Sequence, residues 1–168
     1  MKNNAFQRIT HPIPYVCPSN AHWLILGSFP SVKSRETAFY YGHPQNRFWP
    51  LLAKLFHESV PSNTEEKTAL LYRHGIALWD VIGSCEIIGS SDTSIRNVQP
   101  NDLSALFLKA PITRVVCNGA TAGKLYHKYL FPDTKIPADI LPSTSPANAS
   151  WSMERLAEAW CILLQHEL

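Results

Sequence analysis

The feature that most constrains this chain is a repeated alternation of short apolar runs with segments of helical periodicity. Residues 22–26 and 76–80 are short, mostly apolar runs of strand length, the first stopped by Gly27; 113–117, apolar from Val115, reads as a third strand, and 136–141 is a weaker one interrupted by Pro137. Runs this short and this apolar suit parallel strands buried on both faces better than helices. Phe48, Leu51, Leu52, Leu55 and Phe56 recur at a spacing near one helical turn, which predicts a helix over 46–57 with Pro50 in its first turn. Asn63-Thr64-Glu65-Glu66 opens a second helix over 63–74, and further helices are expected over 101–109, 120–130 and 152–165. Strands joined through helices cross over right-handedly and leave helices on both faces, so the predicted fold is α/β, a three-layer α/β/α sandwich around a parallel sheet. Ligands in such sheets bind beyond the carboxyl ends of the strands. The 27–31 turn, Asp80 and the 142–148 loop would then line one edge.

A chain of 168 residues with 45% hydrophobic content can bury a proper core, and residues 1–168 are read as one domain. The proline-rich stretch 1–20 is expected to form an irregular N-terminal arm, and the Ser- and Gly-rich stretch 83–99 a long surface loop. A formal charge of +2 does not announce nucleic-acid binding by itself. Phosphate contacts would have to come from individual cations, for which Lys33, Arg35, Arg47, Lys124 and Lys128 are candidates. No apolar run approaches the roughly 20 residues of a membrane span. The start of the chain lacks a secretory pattern, and a cytoplasmic location is expected. Cys17, Cys85, Cys117 and Cys161 are scattered, which predicts buried reduced thiols and neither a zinc site nor an iron–sulfur cluster.

Three strings of residues carry more specific information. They are Leu26-Gly27-Ser28-Phe29-Pro30-Ser31, then Phe39-Tyr40-Tyr41-Gly42-His43-Pro44-Gln45-Asn46-Arg47-Phe48-Trp49, and finally Leu141-Pro142-Ser143-Thr144-Ser145-Pro146-Ala147-Asn148-Ala149. In this order they resemble the two motifs of the uracil-DNA glycosylase superfamily, in its hypoxanthine-DNA glycosylase branch. Residues 77–82 and 117–119 are similar to its central strands. The resemblance implies a four-stranded parallel sheet, base flipping, and hydrolysis of a glycosidic bond to leave an abasic site, without metal or cofactor. It also implies DNA containing a deaminated base as the partner, with no obligate protein partner. A monomer, bound to the nucleoid while it works, is the expectation.

The residues then acquire expected roles. An extruded base loses its stacking, which the pocket must offset with rings and base-edge hydrogen bonds. Phe29 is the ring placed to stack, Tyr41 to wall the pocket, and Gly27 and Ser28 to supply close backbone contacts. Either ring can equally be core at the sheet edge. The superfamily's usual motif 1 carboxylate or amide is replaced here by Phe29, and the resemblance moves the catalytic role to Asn46; capping of the following helix is its alternative. His43 is a candidate donor to the leaving base or a loop residue. Asp80 is expected to accept from N1–H of hypoxanthine or N3–H of uracil, or else to cap a helix or pair with an arginine. Ser143, Thr144, Ser145, Ala147 and Asn148 are expected at the DNA strand, with Ala147 or Asn148 as the wedge. Ser143 stands where relatives that excise uracil carry a histidine, so hypoxanthine is the expected substrate. A mismatch-specific uracil or thymine glycosylase and a lesion-binding module without chemistry are the alternatives.

Overall fold

The computed structural model describes residues 5–165. Its centre is a four-stranded parallel sheet in the order β3 (Ile76–Asp80), β2 (Trp23–Gly27), β6 (Arg114–Asn118), β7 (Ala138–Leu141). Every residue of β2 is buried, as a central strand covered on both faces must be. Its alternate residues serve opposite sides. Ile25, with Leu78 and Val116, faces a core built from α2 (Phe48–Phe56), α3 (Thr64–Arg73) and α7 (Met153–Trp160). Leu24 and Leu26, with Ala77, Val115 and Cys117, face α4 (Ser104–Lys109) and α5 (Ala120–Tyr129). The expected three-layer arrangement is therefore present.

Local chemistry sets the helix ends. Asn63 accepts from the Glu66 N–H at 2.8 Å, while the Glu66 carboxylate accepts from the Ser62 N–H at 2.7 Å, a reciprocal cap at the start of α3. Ser152 caps α7 with a single hydrogen bond, its hydroxyl accepting from the Arg155 N–H. The expected last helix is shorter than 152–165, since after Trp160 the chain tightens into a 3-10 turn over Cys161–Leu164. The last strand starts at Ala138, after Pro137, which has no N–H to give the ladder. A short helix, α1 (Val32–Thr37), follows the 27–31 turn, and another, α6 (Phe131–Thr134), follows α5.

Two expectations fail together. The stretch 83–99 is not a long loop, and the arm is not wholly irregular: β1 (Gln7–Thr10), β4 (Ile82–Ile87) and β5 (Arg96–Pro100) form a second, antiparallel sheet in the order β1-β4-β5. Ile82, Cys85 and Ile87 are the buried positions of β4, and register shifts on either side of Ser84 break the simple alternation. That break, in a Ser-rich setting, hid the strand. Strands β1 and β5 are largely exposed edges, so neither shows an apolar face in sequence. This sheet packs Ile82, Cys85 and Ile87 under Phe29 and brings the N-terminal arm to the site. The cysteine expectation holds for Cys17, Cys85 and Cys117, which are buried, but Cys161 is exposed. No helix among the described residues is long and apolar enough to cross a membrane.

Candidate active site

The register of the sheet aligns its carboxyl ends. Gly27 pairs with Asp80, and Asn118 with Leu141, so the residues that leave these strands converge on one rim. A cavity of about 330 Å³ opens there, lined by parts of the 27–31 turn, the 40–46 segment, Asp80, Asn118 and the 143–147 loop. The three remote stretches that the sequence reading required to meet do meet.

The 40–46 segment is shaped by the end of α1. Ala38 adopts a left-handed conformation that stops the helix, and Tyr41 has φ of 53°, which turns its ring onto Phe48 with centroids 4.1 Å apart. The Tyr41 hydroxyl is buried beside Asn118 but meets no partner with hydrogen-bond geometry. Burial first, then the nearby Asp80 charge, pushes this phenol well above its ordinary pKa, so it remains a donor.

Asn46 makes the helix-start contact considered for it and also lines the cavity. Its Oδ1 accepts from the Phe48 N–H at 2.9 Å, which satisfies a free donor at the start of α2. The same Oδ1 accepts from the Thr144 hydroxyl at 2.9 Å. Thr144 in turn receives a hydrogen bond from Asn118 Nδ2 at 3.0 Å, and the Thr144 N–H donates to Asn118 Oδ1 at 3.0 Å. Because backbone N–H groups can only donate, both amide orientations are determined. The chain of donors runs from Asn118 through Thr144 to Asn46, and it leaves Asn46 Nδ2 as the group able to serve a ligand in the cavity. His43 has a similar polarity, since its Nδ1 accepts from the Gln45 N–H at 3.0 Å and the neutral ring then carries its proton on Nε2.

Gly27 is required by close approach. A Cβ at this position would lie 2.5 Å from Asp80 Oδ1 and 3.1 Å from the Tyr41 hydroxyl. Asp80 is buried, and its Oδ2 accepts from His11 Nε2 at 2.7 Å, so its partner is neither an arginine nor a helix terminus. Phe29 is buried at the cavity edge, with the Arg35 guanidinium 5.7 Å from its ring centre. Ser28 donates to Asp92 at 3.1 Å. Asp92 keeps solvent contact and also lines the cavity. Desolvation there, followed by the Asp80 charge, holds its carboxyl above the ordinary carboxylate range despite the Ser28 hydrogen bond.

The late loop corrects several expectations. Thr144 is fully buried and belongs to the asparagine network, so its side chain does not face DNA. Asn148 folds back, donating from Nδ2 to the Ser143 carbonyl at 3.0 Å, and leaves Ala147 as the exposed tip. The Ser143 hydroxyl accepts from the Ser145 N–H, and the Ser145 hydroxyl from the Ala147 N–H, each at 3.1 Å. Arg47 is not a free cation either, since its guanidinium donates to the carbonyls of Asn148 and Trp151 and fastens the loop to α2. Arg35 likewise donates to the Gly89 carbonyl at 2.8 Å. Lys33, Lys124 and Lys128 are exposed. Among the described residues no group of three or more metal-ligating side chains forms.

The same architecture has known counterparts. The model of the Uracil DNA glycosylase superfamily matches residues 13–164. The chain belongs to the uracil-DNA glycosylase superfamily. It is 35% identical over 160 residues to a protein of Methanosarcina acetivorans named hypoxanthine DNA glycosylase, covering 94% of this chain and 99% of that one. It is 36% identical over 137 residues to a Methanosarcina barkeri protein of the same name, covering 80% of this chain and 85% of the relative. A solution NMR structure of a Methanosarcina acetivorans protein, described as a candidate uracil DNA glycosylase, superposes with a TM-score of 0.78 at 31% identity. The superposition covers 95% of this chain and all of that one.

Three site residues of this superfamily member escaped the sequence reading. Asn118 ends β6 as Asp80 ends β3, and the rule that drew attention to strand ends could have found it. Asp92 lies in the stretch read as loop, where a single acid among serines gives no signal. His11 is 69 residues from its partner and stands among prolines, so nothing local marks it.

Proposed function

We propose that this protein is a monofunctional DNA glycosylase that removes deaminated bases, hypoxanthine foremost, and leaves an abasic site. The observation that carries the reading is the oriented Asn118–Thr144–Asn46 network facing Phe29 and Asp80 across one base-sized cavity. The two relatives named hypoxanthine DNA glycosylase support the choice of base.

The everted purine stacks on Phe29 and presents its lactam edge to Asp80, whose carboxylate accepts from N1–H. Adenine has a lone pair at that nitrogen and is repelled. As the bond between C1′ and the base breaks, negative charge grows on the leaving base, and donors fixed in advance are most effective where charge develops. Asn46 Nδ2 and His43 Nε2 are such donors. Water adds to C1′, the bonding electrons depart with the base, and the proton from water ends on it. Gly27 and Ser28 let the backbone approach the base. Ser143, Ser145 and the exposed Ala147 stand beside a neighbouring groove that runs past Ile140 and Trp151, a suitable track for the DNA strand. A monomer without an obligate protein partner, working on DNA in the cytoplasm, completes the reading.

Duplexes carrying deoxyinosine, uracil, xanthine or a thymine mispair, treated with the protein and then with alkali, provide the test. Strand cleavage should be fastest at deoxyinosine, and Asn46→Ala should slow it about 100- to 1,000-fold, as expected for one preorganised donor. Absence of abasic product from all four duplexes removes the proposal. Tight lesion binding with no dependence of any activity on Asn46 favours a binding module instead.

A further inference from the structure

Asp80 is the recognition element of the site, yet a carboxylate is useful for reading a base only if it is held in one orientation. The residue that holds it comes from the far N-terminal arm. His11 follows β1, and its own N–H donates to the Gly83 carbonyl at 2.7 Å, which ties it to β4. Its ring is nearly inaccessible, at 4% side-chain exposure. Nδ1 accepts from the Ile13 N–H at 3.2 Å, so in the neutral ring the proton sits on Nε2 and points at Asp80 Oδ2, 2.7 Å away. Phe29, Tyr40 and Trp79 surround the ring with centroids 5.9, 6.1 and 6.4 Å distant.

Other nearby donors do not substitute for it. The Tyr40 hydroxyl donates to the Pro14 carbonyl at 3.0 Å, and the Tyr41 hydroxyl has no partner. Among the described residues His11 therefore supplies the hydrogen bond that the Asp80 carboxyl receives. On the opposite side Oδ1 occupies the space that any side chain at position 27 would need. One oxygen is engaged by His11 and the other lies beside Gly27, and both residues, Gly27 and Asp80, line the cavity.

We propose that His11 is a positioning residue for base recognition: it fixes the Asp80 carboxylate so that Oδ1 alone meets the ring N–H of a lactam base. The N-terminal arm, through β1, is on this view part of the specificity apparatus. The inference rests on the base-excision reading above and deepens it.

The test uses the full-length chain and single-turnover excision from a deoxyinosine duplex, with affinity for an abasic duplex measured alongside. His11→Phe keeps a ring in the aromatic cage and removes the donor. It should slow excision about 10- to 100-fold, the effect of one charge-assisted hydrogen bond, while abasic-duplex affinity, which involves no base to read, stays within about twofold. His11→Gln, which can carry an N–H to the Nε2 position, should restore most of the rate. In an Asp80→Asn background His11→Phe should add less than about twofold, because the two residues act as one unit. Unchanged excision in His11→Phe, or a full independent loss in the Asp80→Asn background, overturns the inference alone. A wild-type protein inert on every lesion overturns the base-excision reading and this inference with it. Should the Phe variant fail to fold, nitrogen-detected NMR of the wild-type histidines decides: a proton on Nε2 of His11 is expected, and one on Nδ1 overturns the assignment.

Discussion

Gly27 illustrates how one residue links backbone to chemistry. Its absent Cβ is the space that Asp80 Oδ1 occupies at 2.5 Å, so Gly27→Ala must displace a short, buried carboxylate, the one proposed to read the base, rather than a flexible tail. Excision from a deoxyinosine duplex is expected to fall about 10- to 100-fold, since small misplacements of positioned groups are costly, with far-ultraviolet circular dichroism unchanged. Thr144 is a second such point. Thr144→Val keeps the shape but removes both the donor to Asn46 and the acceptor for Asn118. Chemical denaturation should register a loss of about 1–3 kcal/mol for the amide left unsatisfied, and the excision rate should drop about tenfold. Of these residues, Asn46, Asp80 and Phe29 were legible from motif and position. Asn118 and His11 were not, because a side-chain pair across dozens of residues leaves no local periodicity.

Among the elements, the parallel strands were the most legible. The bounds of β3 agree with the run that announced it, since a strand covered on both faces reads as a near-continuous apolar stretch, here Ile76 to Trp79 closed by Asp80. The antiparallel strands were lost because they are half-exposed and β4 is bulged. The 143–151 segment depends on a contact that sequence reasoning assigned elsewhere: Arg47, a candidate phosphate contact, clamps the carbonyls of Asn148 and Trp151. Arg47→Met removes the forked contact together with the charge, and a lower melting temperature with weaker duplex binding is expected. The slope of log affinity against log salt should stay as in the wild type. A residue that touched phosphate would reduce that slope by about 0.9.

At the scale of the whole molecule, burial of weak acids limits stability in alkali. Burial pushes the Cys117 thiol from 9.0 up to about 12, and it raises the Tyr40 and Tyr41 phenols as well. The unfolded chain then loses these protons at lower pH than the folded one. Stability is therefore complete below pH about 9 and declines as pH rises from there toward 12. Urea unfolding between these limits should show the decline, and Cys117→Val should make it shallower; a flat profile in the wild type would contradict the assignment. By itself the sequence determined which segments are buried parallel strands, which are amphipathic helices, and that the ends of those strands carry polar residues at one rim. Periodicity and turn chemistry are local, so they survive without coordinates. Only the tertiary structure decided that Thr144 faces inward, that Arg47 holds a loop, and that His11 meets Asp80. Those roles depend on partners 98, 101 and 69 residues apart, and direction of hydrogen bonding is a property of the meeting rather than of either residue.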